Sequence, residues 1–165
     1  MKHLTVVAAA LLLLLSACGK TDPVPPVPTA GGGDTPVGGR DGTLANGEPK
    51  IIQVEHVLLA FAGTGTKATR TKSEAQNLAY EIVNRAKSGD DFTKLRKEFS
   101  DDDPSGGVYK LVNSGVAKQG DEYERTGMVP AFGDVGFRLK VGEIGVAEHD
   151  PTKSPYGWHV IKRIE

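Results

Sequence analysis

The hydrophobic and polar positions from residue 51 onward predict strands and helices in alternation. Residues 51–61 form a mostly apolar run, which is typical of a strand. The sequence Thr71-Lys72-Ser73-Glu74 matches a helix capping box, and apolar residues at helical spacing follow it over about 73–87. The same signals predict the remaining elements: helices over about 91–99 and 130–139, the latter beginning at Pro130, and strands at 108–112, after a turn at 141–145, and at 157–164.

Two of the predicted strands carry a histidine each. His56 lies in the first strand and His159 in the last, about a hundred residues later. If these strands pair, the two imidazoles meet inside one sheet. A neutral imidazole donates a hydrogen bond from one nitrogen and accepts one at the other, so we expect the rings to bond to each other and form the floor of a site.

The first residues of the chain have the pattern of a secretory signal. Residues 1–17 combine a basic start with an apolar run that is too short to span a bilayer. The sequence Leu15-Ser16-Ala17-Cys18 resembles the bacterial lipobox, in which the cysteine becomes the lipidated first residue of the mature protein. We therefore expect Cys18 to anchor the chain in a membrane of the bacterial cell envelope. By the same resemblance, Gly19 in place of aspartate favours the outer membrane, facing the periplasm; the choice between the two membranes stays open.

A proline- and glycine-rich stretch follows the cysteine. Fourteen of the 32 residues in 19–50 are proline or glycine, and such a segment buries too little apolar surface to offset the entropy cost of ordering it. We expect residues 18–50 to be a lipidated, disordered tether. Residues 51–165 are then one domain, long enough to bury a core without disulfides.

Charge and metal-ligand patterns exclude several classes of function. The net charge of the chain is −1, whereas a nucleic-acid-binding protein shows a strongly basic face. Cys18 is the single cysteine, and the remaining histidines, His3 and His149, have no metal-ligand spacing. We therefore expect no nucleic-acid partner and no metal.

Six sequence motifs in order resemble the parvulin family of peptidyl-prolyl cis–trans isomerases, and the likeness covers residues 53–165. The motifs are Glu55–Leu58, Asp91–Leu95 with Glu98–Asp101, Gly106-Gly107, Met128–Phe132, Leu139–Ile144 and Gly157–Ile161. The resemblance implies an α+β, parvulin-like (FKBP-like) fold with a four-stranded, mostly antiparallel sheet and three to four helices. It also implies an isomerase that assists the folding of exported proteins, acting on unfolded or extended polypeptides that contain proline. Because the isomerisation breaks no covalent bond, such an enzyme is expected to need no cofactor. A monomer is expected, although the sequence leaves the oligomeric state open.

The resemblance also implies a set of site residues. The catalytic candidates are His56, Asp102 and His159, and the candidates for binding the proline segment are Tyr109, Met128, Phe132 and Tyr156. Asp103 is an alternative to Asp102, because the segment between the acid and Gly106 is shorter than the family usually has. A long insert at 113–126 also departs from the family. These departures keep open a second hypothesis, a non-catalytic chaperone or peptide-binding module on the same scaffold. A third hypothesis is a lipoprotein with a purely architectural envelope role.

A basic loop follows the first strand. Lys67, Arg70 and Lys72 lie where phosphate-directed parvulins carry basic residues. Their spacing is loose, and the neighbouring Thr71 and Ser73 already serve the start of a helix. We therefore interpret this segment as a solvated loop.

Overall fold

The structure is a computed structural model that describes residues 40–103 and 106–165. The predicted signal, Cys18 and the first part of the predicted tether lie outside the described residues. Within the described residues, no helix has the length and apolarity needed to cross a bilayer.

A five-stranded sheet forms the centre of the described chain, in the order β3-β2-β1-β5-β4. All neighbouring strands are antiparallel except β2 and β3, which are parallel. A short 3₁₀ helix lies at Arg125–Gly127. In chain order, the strands and α-helices are β1 (Ile51–Leu59), α1 (Lys72–Lys87), α2 (Phe92–Phe99), β2 (Val108–Val112), β3 (Tyr123–Glu124), α3 (Pro130–Gly136), β4 (Ile144–Ala147) and β5 (Trp158–Arg163).

The sheet has one strand more than the four predicted. The additional strand, β3, consists of two residues inside the insert at 113–126 and pairs with the end of β2. A two-residue strand shows no alternation of polar and apolar positions, so no periodic signal marks it. The third helix is also shorter than predicted: it ends at Gly136, although Phe137 and Leu139 beyond it are still buried.

Each face of the sheet has its own hydrophobic cluster. One cluster joins β1 and β5 to the apolar sides of α1 and α2, through residues such as Leu59, Ile82 and Trp158. The predicted capping box begins α1, with Thr71 Oγ1 accepting from the backbone N–H of Glu74. The second cluster lies on the opposite face and packs α3 against β1, β2 and β5.

The pairing of β1 with β5 brings the two histidines to one face. His159 lies opposite Leu58, and His56 lies opposite Ile161. Directly opposed residues share a face, and so do residues two apart on a strand, so His56 and His159 are diagonal neighbours on the face that α3 covers.

Residues 40–50, which we call the N-terminal arm, make contacts that the tether prediction did not include. Arg40 pairs with Glu122, and Glu48 pairs with Arg125. The arm folds on itself, with Lys50 N–H donating to Gly42 O (2.9 Å). The predicted disordered tether therefore extends too far, because residues 40–50 are held by polar pairs with residues more than seventy positions away. The composition of the segment does not reveal these pairs.

Candidate active site

One pocket of about 390 Å³ brings together the seven side chains that were the first choices for the site. These side chains are His56, Asp102, Tyr109, Met128, Phe132, Tyr156 and His159. Leu58, Asp101 and Val129 complete much of the lining. The first two were missed because neither differs from an ordinary core or loop residue in the sequence.

The two histidines form the buried floor of the pocket. Their ring centroids are 5.3 Å apart and the planes are tilted by 49°. The predicted hydrogen bond between them is wrong: neither nitrogen of His159 has a hydrogen-bond partner among the described residues. Phe132 lies edge-on to both rings, with centroid distances of 5.1 Å to His56 and 5.5 Å to His159. The diagonal register sets the rings side by side, and aromatic packing holds them.

Asp102 stands over this floor as an ionised carboxylate. Its Oδ2 lies 3.2 Å from His56 Nε2 and accepts from the Tyr109 hydroxyl at 3.1 Å. Its Oδ1 accepts from the backbone N–H of Asp103. The hydrogen bond with His56 is the main reason why the pKa of Asp102 falls to about 2. We call His56, Asp102 and Tyr109 the polar wall.

Asp103, the alternative acid, has a different position. Its side chain is exposed, and it is not among the residues that line the pocket. It lies instead beside Arg96, Lys97 and Ser100 on a neighbouring surface. Geometry therefore favours Asp102 over Asp103.

A buried ion pair fixes the loop that carries Asp102. Arg96 donates to Glu55 Oε1 and, through Nη1, to the carbonyl of Gly106, both at 2.7 Å. The backbone N–H of His56 donates to Gly107 O at 2.7 Å. Gly107 has φ +91°, and a Cβ there would lie 2.7 Å from Arg96 Cδ, so only glycine fits.

Glu55 and Arg96 were not predicted to support the site. Glu55 is only 6% exposed although it is charged and lies in a central strand. A carboxylate at such a position requires a partner, because an unpaired buried charge is costly. The sequence shows a charged residue inside an apolar strand, but it does not show which residue is the partner.

Arg70 is held differently from the solvated loop that we predicted. It pairs with Asp101 and donates to Ala60 O at 3.0 Å, and Asp101 also accepts from Ala60 N–H at 2.8 Å. Lys67 and Lys72 are exposed, as predicted. The guanidinium of Arg70 is therefore already engaged by a carboxylate that lines the pocket.

A second part of the pocket lining is apolar. Phe132 is buried, and Met128 and Val129 pack against the cluster behind it. Pro130 starts α3 directly after Val129, so Met128 lies at the helix entry and Phe132 in its first turn. Tyr156 lines the rim and is half exposed. We call Met128, Val129 and Phe132 the apolar wall.

A protein-family model described as the PPIC-type PPIASE domain matches residues 43–165, most of the chain. Three curated relatives illustrate the sequence similarity. Chaperone SurA of Chromohalobacter salexigens is 36% identical over 123 residues, covering 70% of this chain and 24% of the relative. The parvulin-like PPIase of Rickettsia bellii is 34% identical over 119 residues, covering 69% and 32%. Foldase protein PrsA of a Geobacillus species is 32% identical over 99 residues, covering 58% and 30%.

The matched region spans about a quarter to a third of the length of these relatives. Two solved structures show the fold. The solution structure of TbPIN1 has a TM-score of 0.54 at 21% identity, covering 70% of this chain and 98% of that one. The peptidyl-prolyl isomerase ESS1 from Candida albicans has a TM-score of 0.50 at 21% identity, covering 70% and 63%. The predicted parvulin-like fold is thereby confirmed.

Proposed function

Because the chain belongs to the family of PpiC-type peptidyl-prolyl isomerase domains, we propose that it catalyses cis–trans isomerisation before proline in unfolded or extended polypeptides and so assists their folding. The observation that carries this proposal is the pairing of an ionised carboxylate with an apolar wall across one pocket. The first element acts on the peptide bond and the second holds the proline ring.

Isomerisation requires the amide to twist, and no covalent bond breaks. Resonance imposes a barrier of about 18–20 kcal/mol and places negative charge on the carbonyl oxygen of the planar amide. A carboxylate near that oxygen opposes the charge and so disfavours the planar state relative to the twisted one. Asp102 is ionised at neutral pH, and its mechanism needs only its charge and position.

The histidines support this carboxylate in the proposed mechanism. His56 Nε2 and the Tyr109 hydroxyl both contact Oδ2 of Asp102 and so fix the position of the carboxylate. Burial lowers the pKa of His159 to about 3, so His159 is neutral near pH 7. We assign His56 to holding the acid and both histidines to shaping the floor, and neither to proton transfer.

The apolar wall supplies binding. Burying a prolyl ring against Met128 and Phe132 contributes on the order of 2 kcal/mol. Tyr156 at the rim packs against the neighbouring residue of the substrate. An interaction that grips the ring equally in the planar and twisted states improves KM without raising kcat.

We propose a location for this activity from the N-terminal sequence. Residues 1–17 serve as a signal, and Cys18 carries the lipid that anchors the protein in the bacterial envelope, in the outer membrane facing the periplasm. The tether that begins at Cys18 then holds the folded part away from the lipid surface. Membrane fractionation tests this proposal, since Cys18→Ser is expected to move the protein to the soluble fraction; retention in the membrane contradicts it.

A proline-limited refolding assay tests the function. The protein is expected to accelerate the slow refolding phase of a model substrate, and Asp102→Ala is expected to lose that acceleration. A chain that suppresses aggregation without changing the slow phase would instead be the non-catalytic chaperone of the second hypothesis.

A further inference from the structure

The N-terminal arm presents one carboxylate towards the folded part of the chain. Its turn is closed by Leu44 N–H, which donates to Glu48 O at 2.7 Å, and by Gly47 N–H, which donates to Leu44 O at 2.9 Å. Asn46 Oδ1 accepts from the Glu48 backbone N–H, and Asn46 Nδ2 donates to the Glu48 carboxylate. Contacts within the arm itself thus orient the side chain of Glu48.

Glu48 reaches an arginine from a distant part of the sequence. Its Oε2 accepts from Arg125 Nη1 at 2.7 Å and from Asn113 Nδ2 at 3.2 Å. Arg125 Nη1 also donates to Asn113 Oδ1 at 3.0 Å, which closes a three-membered network. The side chains of Glu48 and Arg125 are 20% and 17% exposed, and a pair so shielded from water is weakened less by solvent than an exposed one.

Arg125 lies between the arm and α3 and contacts both. Its Nη2 donates to Asp134 Oδ1 at 2.7 Å, and its guanidinium lies 5.0 Å from the centre of the Phe137 ring. Its Cγ lies so close to Gly133 that a Cβ on that glycine would be 2.8 Å away. The arginine therefore has little freedom once Glu48 holds its other edge.

The same arginine begins the backbone segment that forms part of the pocket. It starts the 3₁₀ helix at Arg125–Gly127, and the carbonyl of Arg125 accepts from Met128 N–H at 3.2 Å. Gly127, Met128 and Val129 all line the pocket. The position of the apolar wall is consequently coupled to the position of Arg125.

We propose that Glu48 is a positioning residue for the substrate pocket: by holding Arg125, the N-terminal arm sets Met128 where it contacts the proline ring. The inference rests on the proposed function and extends it, because it makes residues between the tether and the first strand part of the binding site's support. It acts on binding and leaves the charge of Asp102 untouched.

Arg40 provides a matched control at the other end of the arm. It pairs with Glu122 and donates to Ala117 O at 2.7 Å. Glu122 also forms an ion pair with Lys110, and none of these residues lines the pocket. Arg40→Ala therefore releases the arm at a point that has no contact with Arg125, whereas Glu48→Ala releases the arginine itself.

The experiment combines kinetics with one NMR signal on the full-length chain. The chain has two methionines, so the Met128 methyl signal is identified by its loss in Met128→Leu. In Glu48→Ala we expect this signal to shift, and the KM and Kd for a short proline peptide to rise about fivefold with kcat unchanged. Glu48→Gln keeps an acceptor for Arg125 and is expected to give a smaller change, and Arg40→Ala none.

Two results would overturn the inference. One is a Glu48→Ala variant whose Met128 signal and peptide Kd match the wild type; the other is an equal change in Arg40→Ala, which would mean that general loosening of the arm is responsible. Failure of the proposed function is a separate outcome. In that case the wild type shows no isomerase activity, while the methyl signal and the Kd still report whether Glu48 positions Met128.

Discussion

The two walls of the pocket are built on opposite principles. The polar wall is a hydrogen-bonded set in which Asp102 is fixed by His56 and Tyr109. The apolar wall consists of side chains that pack, with Phe132 against both histidine rings. A fixed charge distinguishes the planar amide from the twisted one, whereas packing holds the ring in either state. We therefore expect damage to the polar wall to affect turnover and damage to the apolar wall to affect binding.

An arginine supports each wall from behind. Arg96 joins buried Glu55 to the carbonyl of Gly106 and so holds the Asp102 loop. Arg125 joins Glu48 to Asp134 and so holds the segment before α3. In both cases a planar guanidinium contacts two groups from separate elements, which a single ammonium matches less well. The walls differ in chemistry but share this means of support.

The largest effect is expected on stability in acid, through the floor that both walls share. Burial lowers the pKa of His159 from its ordinary value to about 3, so the unfolded chain binds a proton there before the folded chain does. Stability should therefore fall as the pH drops from about 6.5 towards 3, with a limiting slope of about 1.4 kcal/mol per pH unit from this residue. Urea unfolding at several pH values measures the slope.

His159→Leu is the variant that isolates this contribution. It should flatten the fall mainly between about pH 6.5 and 4.5, where the lowered pKa of His149 leaves a smaller slope of the same sign. Below about pH 4.5, carboxylates with a lowered pKa, such as Glu48 and Glu122, add a loss of stability that both chains share. Asp102 acts in a lower window, because its depressed pKa gives stability that is complete above about pH 4 and is lost as the pH falls through about 2. Equal slopes in wild type and His159→Leu would show that His159 is not held neutral.

The next effect is the loss of turnover when the charge of the polar wall is removed. Asp102→Ala is expected to lower kcat/KM at least about tenfold, or about 1.4 kcal/mol of transition-state stabilisation, while circular dichroism shows an intact fold. Asp103→Ala is the matched control and should retain activity, since its side chain is exposed and does not line the pocket. The reverse result would move the acid to Asp103.

The smallest effect is expected at the apolar wall. Met128→Ala removes part of the proposed binding surface for the proline ring and should raise KM about fivefold with kcat nearly unchanged, which corresponds to about 1 kcal/mol of lost burial. Val141→Ala is a suitable control because Val141 is exposed and lies away from the pocket lining. A fall in kcat at constant KM would remove the distinction between the two walls.

Sequence reasoning predicted the parts of this fold that have a local signal. The apolar run of β1, the capping box before α1 and the proline at the start of α3 each carry a pattern within a few residues. The seven pocket residues were named because five separate segments of the chain resembled one family. The pairing of β1 with β2 and β5 brings His56, Tyr109 and His159 together. The other four come to the pocket from α3, the segment before it and the loops after α2 and before β5.

The supporting arginines could not be predicted in the same way. Arg96 meets Glu55 across 41 positions, and Arg125 meets Glu48 across 77. Charged residues on helices and loops are common on surfaces, and no periodicity tells which of them turns inward to a partner. The N-terminal arm was predicted to be part of the tether because its ion-pair partners are likewise distant in the sequence. Composition describes average behaviour, whereas Glu48 and Arg40 form specific ion pairs with distant residues.

Exchange NMR on a short proline peptide tests the central claim most directly, because it reports the rate of cis–trans interconversion and the occupancy of the site in one sample. We predict that the wild-type chain accelerates the exchange, and that Asp102→Ala still binds the peptide but accelerates it at least about tenfold less. A wild-type chain that binds the peptide in this pocket without accelerating the exchange would contradict the account.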